Sequence, residues 1–124
     1  MKHISTGSTF EAAMGYSRAV VKGGWCFVSG VTGYDYTSMQ MPIGIAAQAR
    51  SCFATIDEVL RQGGFTMADV VRVQYTVVKS DLVAELAPVL GETLGDVRPA
   101  ATMVIAGLIR PEMLIEIEVT AFKG

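Results

Sequence analysis

The sequence predicts an α+β fold, a mixed β-sheet with two helices on one face, and three observations lead there. Five short stretches carry β-branched, aromatic or alternating residues, two longer ones carry apolar residues at helical spacing, and their order is ββ-α-β-α-ββ. At 124 residues and 51% hydrophobic content the chain is one domain, residues 1–124, with a core large enough to need no disulfide or metal. Helices gathered on one side of a sheet bury both apolar stripes at once.

The elements follow in order. Ser17–Lys22 and Trp25–Ser29 flank Gly23-Gly24, the two-residue loop of a β-hairpin. Gly30-Val31-Thr32-Gly33 interrupts the pattern, and residues 34–42 hold turn formers without periodicity, which reads as a surface loop with a mobile tip. Ile45, Ala49, Cys52, Phe53, Ile56, Val59 and Leu60 form one stripe of a helix over residues 43–62, stopped by Gly63-Gly64. Thr66–Asp69 reads as one capped turn. Val71, Val73, Tyr75 and Val77 alternate with Arg72, Gln74, Thr76 and Val78 in a strand. A second helical pattern opens at Asp81 and runs through Leu86, Val89, Leu90 and Leu94; Pro88 must kink it or sit in its first turn. Ala100–Ile105 and Leu114–Phe122 are strands, joined by a turn that holds Pro111.

Composition excludes several classes of function. Ten Lys+Arg stand against twelve Asp+Glu with no basic run, so nucleic acid is not an expected partner. The mean hydropathy of +0.41 is high, yet the uncharged stretch over residues 23–34 is too short and too glycine-rich to span a bilayer, so no membrane is expected either. Cys26 and Cys52 lack metal-ligand spacing and read as small buried hydrophobes, with no metal expected. The N-terminus has no apolar signal core, and a cytoplasmic location is the expectation.

The excess apolarity falls partly on the sheet face that the helices leave open. In the last strand Ile115, Ile117, Val119 and Ala121 point to the helices, which leaves Leu114, Glu116, Glu118, Thr120 and Phe122 on the other side. Two glutamates on alternate strand positions need a reason. One reading is a solvated face in which Arg72 forms a cross-strand ion pair. The other is self-association, which hides Leu114, Phe122 and Val78 and leaves carboxylates in partly desolvated clefts, where a glutamate approaches the working range of a general acid or base.

Several short stretches then form one recognisable pattern: Gly15-Tyr16-Ser17-x-Ala19-Val20, Val28-Ser29-Gly30, Gln48-Ala49, Val59-Leu60-x-x-Gly63-Gly64, Asp69-Val70-Val71, Arg98-Pro99-Ala100, and Ile115-Glu116-Ile117-Glu118-x-x-Ala121. In their order and spacing they resemble the RidA/YjgF family, also called endoribonuclease L-PSP or translation initiation inhibitor, over residues 15–121. The resemblance implies a chorismate-mutase-like fold and a homotrimer whose sheets form a trimeric barrel. It also implies small-molecule pockets between subunits and cofactor-free hydrolysis of 2-aminoacrylate-type enamines and imines to 2-oxo acids and ammonia.

Carried over residue by residue, the resemblance implies a ligand-binding hydroxyl at Tyr16, backbone N–H groups for a carboxylate at Ser29 and Gly30, and a water-positioning carboxylate at Glu116. Ser29 has no base placed beside it by any motif and is not expected to be a nucleophile. The departure is Ala101. Active imine deaminases of the family carry there an arginine whose planar fork holds the substrate carboxylate, and the fifteen-residue spacing from Ala101 to Glu116 fits without a gap. Losing that contact costs on the order of 2–4 kcal/mol, or roughly 30- to 1000-fold in rate. Arg98 and Arg110 are the alternative cations, and the family's pocket asparagine finds no counterpart around Glu85-Leu86-Ala87-Pro88. Two functions are expected: a hydrolase for a ligand without a carboxylate, which the apolar Ala101 and Met103 would suit, or a non-catalytic binding or regulatory trimer.

Overall fold

The hairpin at Gly23-Gly24 is the core of a six-stranded sheet. In a computed structural model describing residues 1–124, the strands are β1 (Lys2–Ile4), β2 (Ala19–Lys22), β3 (Trp25–Thr32), β4 (Val70–Val77), β5 (Ala100–Ile105) and β6 (Ile115–Phe122). Their order is β1-β2-β3-β6-β4-β5, antiparallel throughout except β4 beside β5. That one parallel pair needs a crossover, which helix α3 (Val83–Leu94) supplies. The mixed sheet is therefore as expected, and so is its helical cover by α2 (Ile45–Gln62) and α3.

Both helices bury the stripes read from their spacing. Ile45, Ala49, Cys52, Ile56 and Leu60 of α2 and Leu86 of α3 are completely buried, together with Val77, Ile115, Ile117 and Ala121 of the sheet. Gly64, at φ +85°, supplies the left-handed stop after α2, while Gly63 remains right-handed. Pro88 lies inside α3 on its exposed side; the helix begins after a 3₁₀ turn at Ser80–Leu82 and runs on past it, so the proline is not in the first turn. The capped turn at Thr66 is a 3₁₀ turn closed by the Asp69 carboxylate, 2.8 Å from the Thr66 amide.

Three local features depart from the sequence reading. A short strand β1 pairs with β2, and a six-residue helix α1 (Thr9–Met14) precedes the hairpin. The segment over residues 34–42 is a loop, as read, with internal bonds: Asp35 bridges Gln40 and caps Thr37 and Ser38, while Tyr34 is buried. Arg72 makes no ion pair with either glutamate of β6; its guanidinium donates to Thr102 Oγ1 at 3.1 Å.

The Gln48-Ala49 pair of the sequence pattern also gains a reason. Gln48 is 2% exposed, and its amide donates to the carbonyls of Pro42 and Glu112 and accepts from the Leu114 amide. One buried side chain thus ties α2 to two loops.

Candidate functional site

Glu116 is where the local backbone becomes unusual. Val28 pairs with Val119 and Val31 with Ile117, so β3 spends one residue more than β6 between them, a β-bulge at Ser29-Gly30. A Cβ on Gly30 would sit 2.5 Å from the Glu116 carboxyl carbon. The glycine is therefore what lets the carboxylate lie across the bulge. Glu116 is half-buried and has no hydrogen-bond donor or ion-pair partner within the chain. Burial raises its pKa above the usual carboxylate range and the charge of Glu118 adds to this, with Arg18 pulling the other way.

Arg18, which stands at an unassigned position of the sequence pattern, proves to be the centre of the bulge. Only 1% exposed, it donates from Nη1 to the carbonyls of Gly30 (2.7 Å) and Ser29 (3.3 Å). The guanidinium lies over the Tyr36 ring, 4.9 Å from its centroid, and 5.7 Å from that of Tyr16. Its Nε has no hydrogen bond and faces Glu11 at 3.9 Å. Tyr36 in turn reaches Thr32, the residue paired with Glu116, through the Thr32 amide at 3.0 Å.

The expected pocket residues divide. Tyr16 and Gly30 lie around Arg18, and Tyr16 also lines a cleft of about 360 Å³ with Glu11. Burial raises the Tyr16 pKa against the opposing charge of Arg18, which keeps the phenol a hydrogen-bond donor at neutral pH. Ser29 is committed: its hydroxyl donates to the Ser17 carbonyl at 2.7 Å and its N–H to the Arg18 carbonyl at 2.9 Å. Ser29 therefore braces the hairpin, and its N–H is not free for a ligand carboxylate.

Ala101 and Met103 lie elsewhere. Ala101 pairs with Val73, which pairs with Val119 on the helix side; Glu116 pairs with Thr76 and Val104 on the open side. With β4 between β5 and β6, Ala101 and Met103 are on the opposite sheet face from Glu116. One chain does not bring them together. The open face itself is apolar at one end, where Trp25, Phe27 and Phe122 are 42%, 47% and 39% exposed and Trp25 packs 4.5 Å from Phe122. Arg110 is engaged over the Phe10 ring at 4.8 Å, whereas Arg98 makes no side-chain hydrogen bond or ion pair. The largest concavity, about 470 Å³ beside α2, contains none of the expected residues.

Fold and site together define a class: a small α+β domain with one apolar-and-acidic sheet face uncovered and, at a bulge, a partly buried glutamate without a hydrogen-bond donor. The chain belongs to the family described as Endoribonuclease L-PSP, whose model matches residues 6–123. It is similar in structure to Rv2704 of Mycobacterium tuberculosis, a member of the YjgF/YER057c/UK114 family, at 39% identity and a TM-score of 0.90, covering 98% of each chain. RidA from the Antarctic bacterium Psychrobacter sp. PAMC 21119 is 26% identical with a TM-score of 0.83, covering 98% of this chain and 94% of that one. A RutC family protein of Pyrococcus abyssi is 32% identical over 111 residues, 87% of this chain and 86% of the relative. The resemblance read from the sequence is thereby established at the level of family and fold. No helix is long and apolar enough to cross a membrane.

Proposed function

We propose that the chain works as a homotrimer that handles a small metabolite in clefts between protomers, as a cofactor-free cytoplasmic hydrolase of imine- or enamine-type compounds. Glu116 orients the attacking water, and Tyr16 and Gly30 line its half of the cleft. The neighbouring protomer supplies Ala101 and Met103. The carrying observation is the Glu116 carboxylate itself: half-buried, raised in pKa, and without a donor of its own chain to hold its charge. A carboxylate in that state binds water or a ligand proton strongly, which is the behaviour a general base needs. The exposed Trp25, Phe27 and Phe122 give the open face a reason to self-associate, and the opposite-face placement of Ala101 leaves a second protomer as the way to join the two halves.

Hydrolysis of 2-aminoacrylate itself is excluded from this reading, because a methyl group at Ala101 cannot hold a carboxylate. That same absence favours the second reading, a trimer that binds its metabolite without turning it over. Nucleic acid is not a partner in either, since a net charge of −2 and a Glu116–Glu118 pair repel phosphates. The test is Glu116→Gln assayed against a panel of imines generated in situ, with light scattering on both forms. Lost turnover in an intact trimer supports the hydrolase, no turnover in either form with unchanged binding supports the binder, and a monomer in dilute solution overturns the shared cleft. Ala101→Arg is expected to confer 2-aminoacrylate hydrolysis; correct folding without that gain would remove Ala101 from the cleft.

A further inference from the structure

The cleft of about 360 Å³ beside Tyr16 is walled by β1, α1 and the residues that lead into β2. Two of its lining residues form a pair that no motif in the sequence announces. His3, the chain's one histidine, places its Nδ1 2.8 Å from the Ser17 Oγ. The two are 14 positions apart in sequence and meet because β1 pairs with β2, with His3 opposite Val20. With the ring proton on Nε2, the hydroxyl donates to Nδ1, which is the contact that turns a serine into a nucleophile.

Docking of β1 does not require this bond. Lys2, His3 and Ile4 are already in register with Val21, Val20 and Ala19, and Lys2 Nζ donates to the Gln62 carbonyl at 2.8 Å. The serine is also held firmly. The Tyr16 N–H donates to the Glu11 carbonyl at 3.1 Å, and the Ser17 carbonyl accepts the Ser29 hydroxyl at 2.7 Å. Ser17 is therefore a half-buried hydroxyl on a fixed backbone, with the exposed His3 ring beside it at the rim.

The remaining walls select the substrate. Ile4 and Ala12 are apolar, no lysine or arginine lines the cleft, and its one carboxylate, Glu11, is engaged by the Thr6 amide and hydroxyl. A neutral molecule with a small apolar group fits such a lining better than an anion does. Tyr16, whose phenol stays protonated at neutral pH, is a donor available to a carbonyl oxygen.

We propose that Ser17 and His3 are the nucleophile and base of a second activity, hydrolysis of short-chain carboxylic esters, with Tyr16 donating to the carbonyl oxygen. Ser17 Oγ bonds to the acyl carbon while its proton passes to His3 Nδ1. The carbon–oxygen bond to the alcohol then breaks, and the same proton leaves with the alcohol. Water attacks the acyl-serine by the same route, which releases the carboxylic acid and restores the hydroxyl. This activity goes beyond the imine reading and needs no second copy, because every lining residue belongs to one chain.

The experiment is stopped-flow mixing of the full chain with p-nitrophenyl acetate, followed by peptide mapping of the acetylated protein. A burst of p-nitrophenolate is expected, with the acetyl group on Ser17. Ser17→Ala should abolish the burst. His3→Gln keeps an acceptor for the Ser17 hydroxyl but cannot take up its proton, so it should slow the burst on the order of 100-fold while the melting temperature changes little. A parent chain whose acetyl groups lie only on lysines or the N-terminal amine overturns the site, and so does a burst that survives Ser17→Ala. Mapping is done on the parent, so the test stands even where a variant fails to fold. Glu116→Gln should leave the burst unchanged and Ser17→Ala should leave imine turnover unchanged, so failure here and failure of the inter-protomer reading are told apart.

Discussion

Two glutamates lie on either side of Arg18, and their contrast explains what each is for. Glu11 is 6% exposed; Thr6 donates to its carboxylate through both amide and hydroxyl, and Arg18 Nε stands 3.9 Å away. Burial alone would raise its pKa, but the Thr6 and Ser5 hydrogen bonds and the Arg18 charge together carry it below the ordinary value. Glu116 feels the same cation but has no donor, so burial goes unopposed by hydrogen bonds and its pKa goes up. The difference is the missing hydrogen bonds, to which the like charge of Glu118 adds. A satisfied carboxylate holds a structure; an unsatisfied one is kept for a partner that is not in the chain.

The largest effect should come from breaking the satisfied member. Glu11→Gln leaves a buried guanidinium without its counter-charge and should lower stability by on the order of 3 kcal/mol, read from urea unfolding. Adding Arg18→Met should recover part of that loss, because removing both charges is far less harmful than stranding one. If the single variant is as stable as the parent, Glu11 is not the structural partner described here. Gly30→Ala is the next test. The new Cβ would collide with the Glu116 carboxyl, but that group is the free end of a side chain and can swing aside, so stability should fall by only about 1 kcal/mol. The Glu116 pKa, followed by carboxyl ¹³C NMR, should then drop toward its ordinary value as the group swings into water. A Gly30→Ala variant with the Glu116 titration unmoved would separate the bulge from the carboxylate's state.

The contrast was only half legible in the sequence. The alternation in β6 fixed Glu116 on the open face, because period-2 patterning is local and strong where one face is buried. Glu11 was missed with its helix: α1 is too short for a periodic signal, although Ser8, three residues before Glu11, and Gly15 after the helix are capping residues that could have announced it. Arg18 was unreadable as a buried residue, since burial of an arginine depends on carbonyls that only the Ser29-Gly30 bulge presents. Nor could the sequence show that Ala101 and Glu116 face opposite ways. That depends on the register of β5 against β4 and of β4 against β6, and single-strand patterns carry no information on pairing.

The smallest effect is also the one whose sign separates the two carboxylates. Both have an ordinary value of 4.5 to be compared with the folded state. For Glu116 the folded pKa is higher, so the native state binds the proton more tightly, and stability falls as pH rises from about 4.5 through that raised pKa. Glu116→Gln removes this penalty and should stabilise the chain at neutral pH by about 0.5 kcal/mol, a modest figure because solvent screens a half-exposed group; the gain should vanish below the ordinary value. For Glu11 the folded pKa is lower, so its contribution is present above about 4.5 and is lost as pH falls through the depressed pKa. Melting temperatures of the two variants between pH 3 and 8 should therefore diverge in opposite directions from the parent as pH rises. A glutamine at 116 that destabilises at pH 7 would mean that the carboxylate has found a donor after all, and it would belong with Glu11 among the groups that hold the fold.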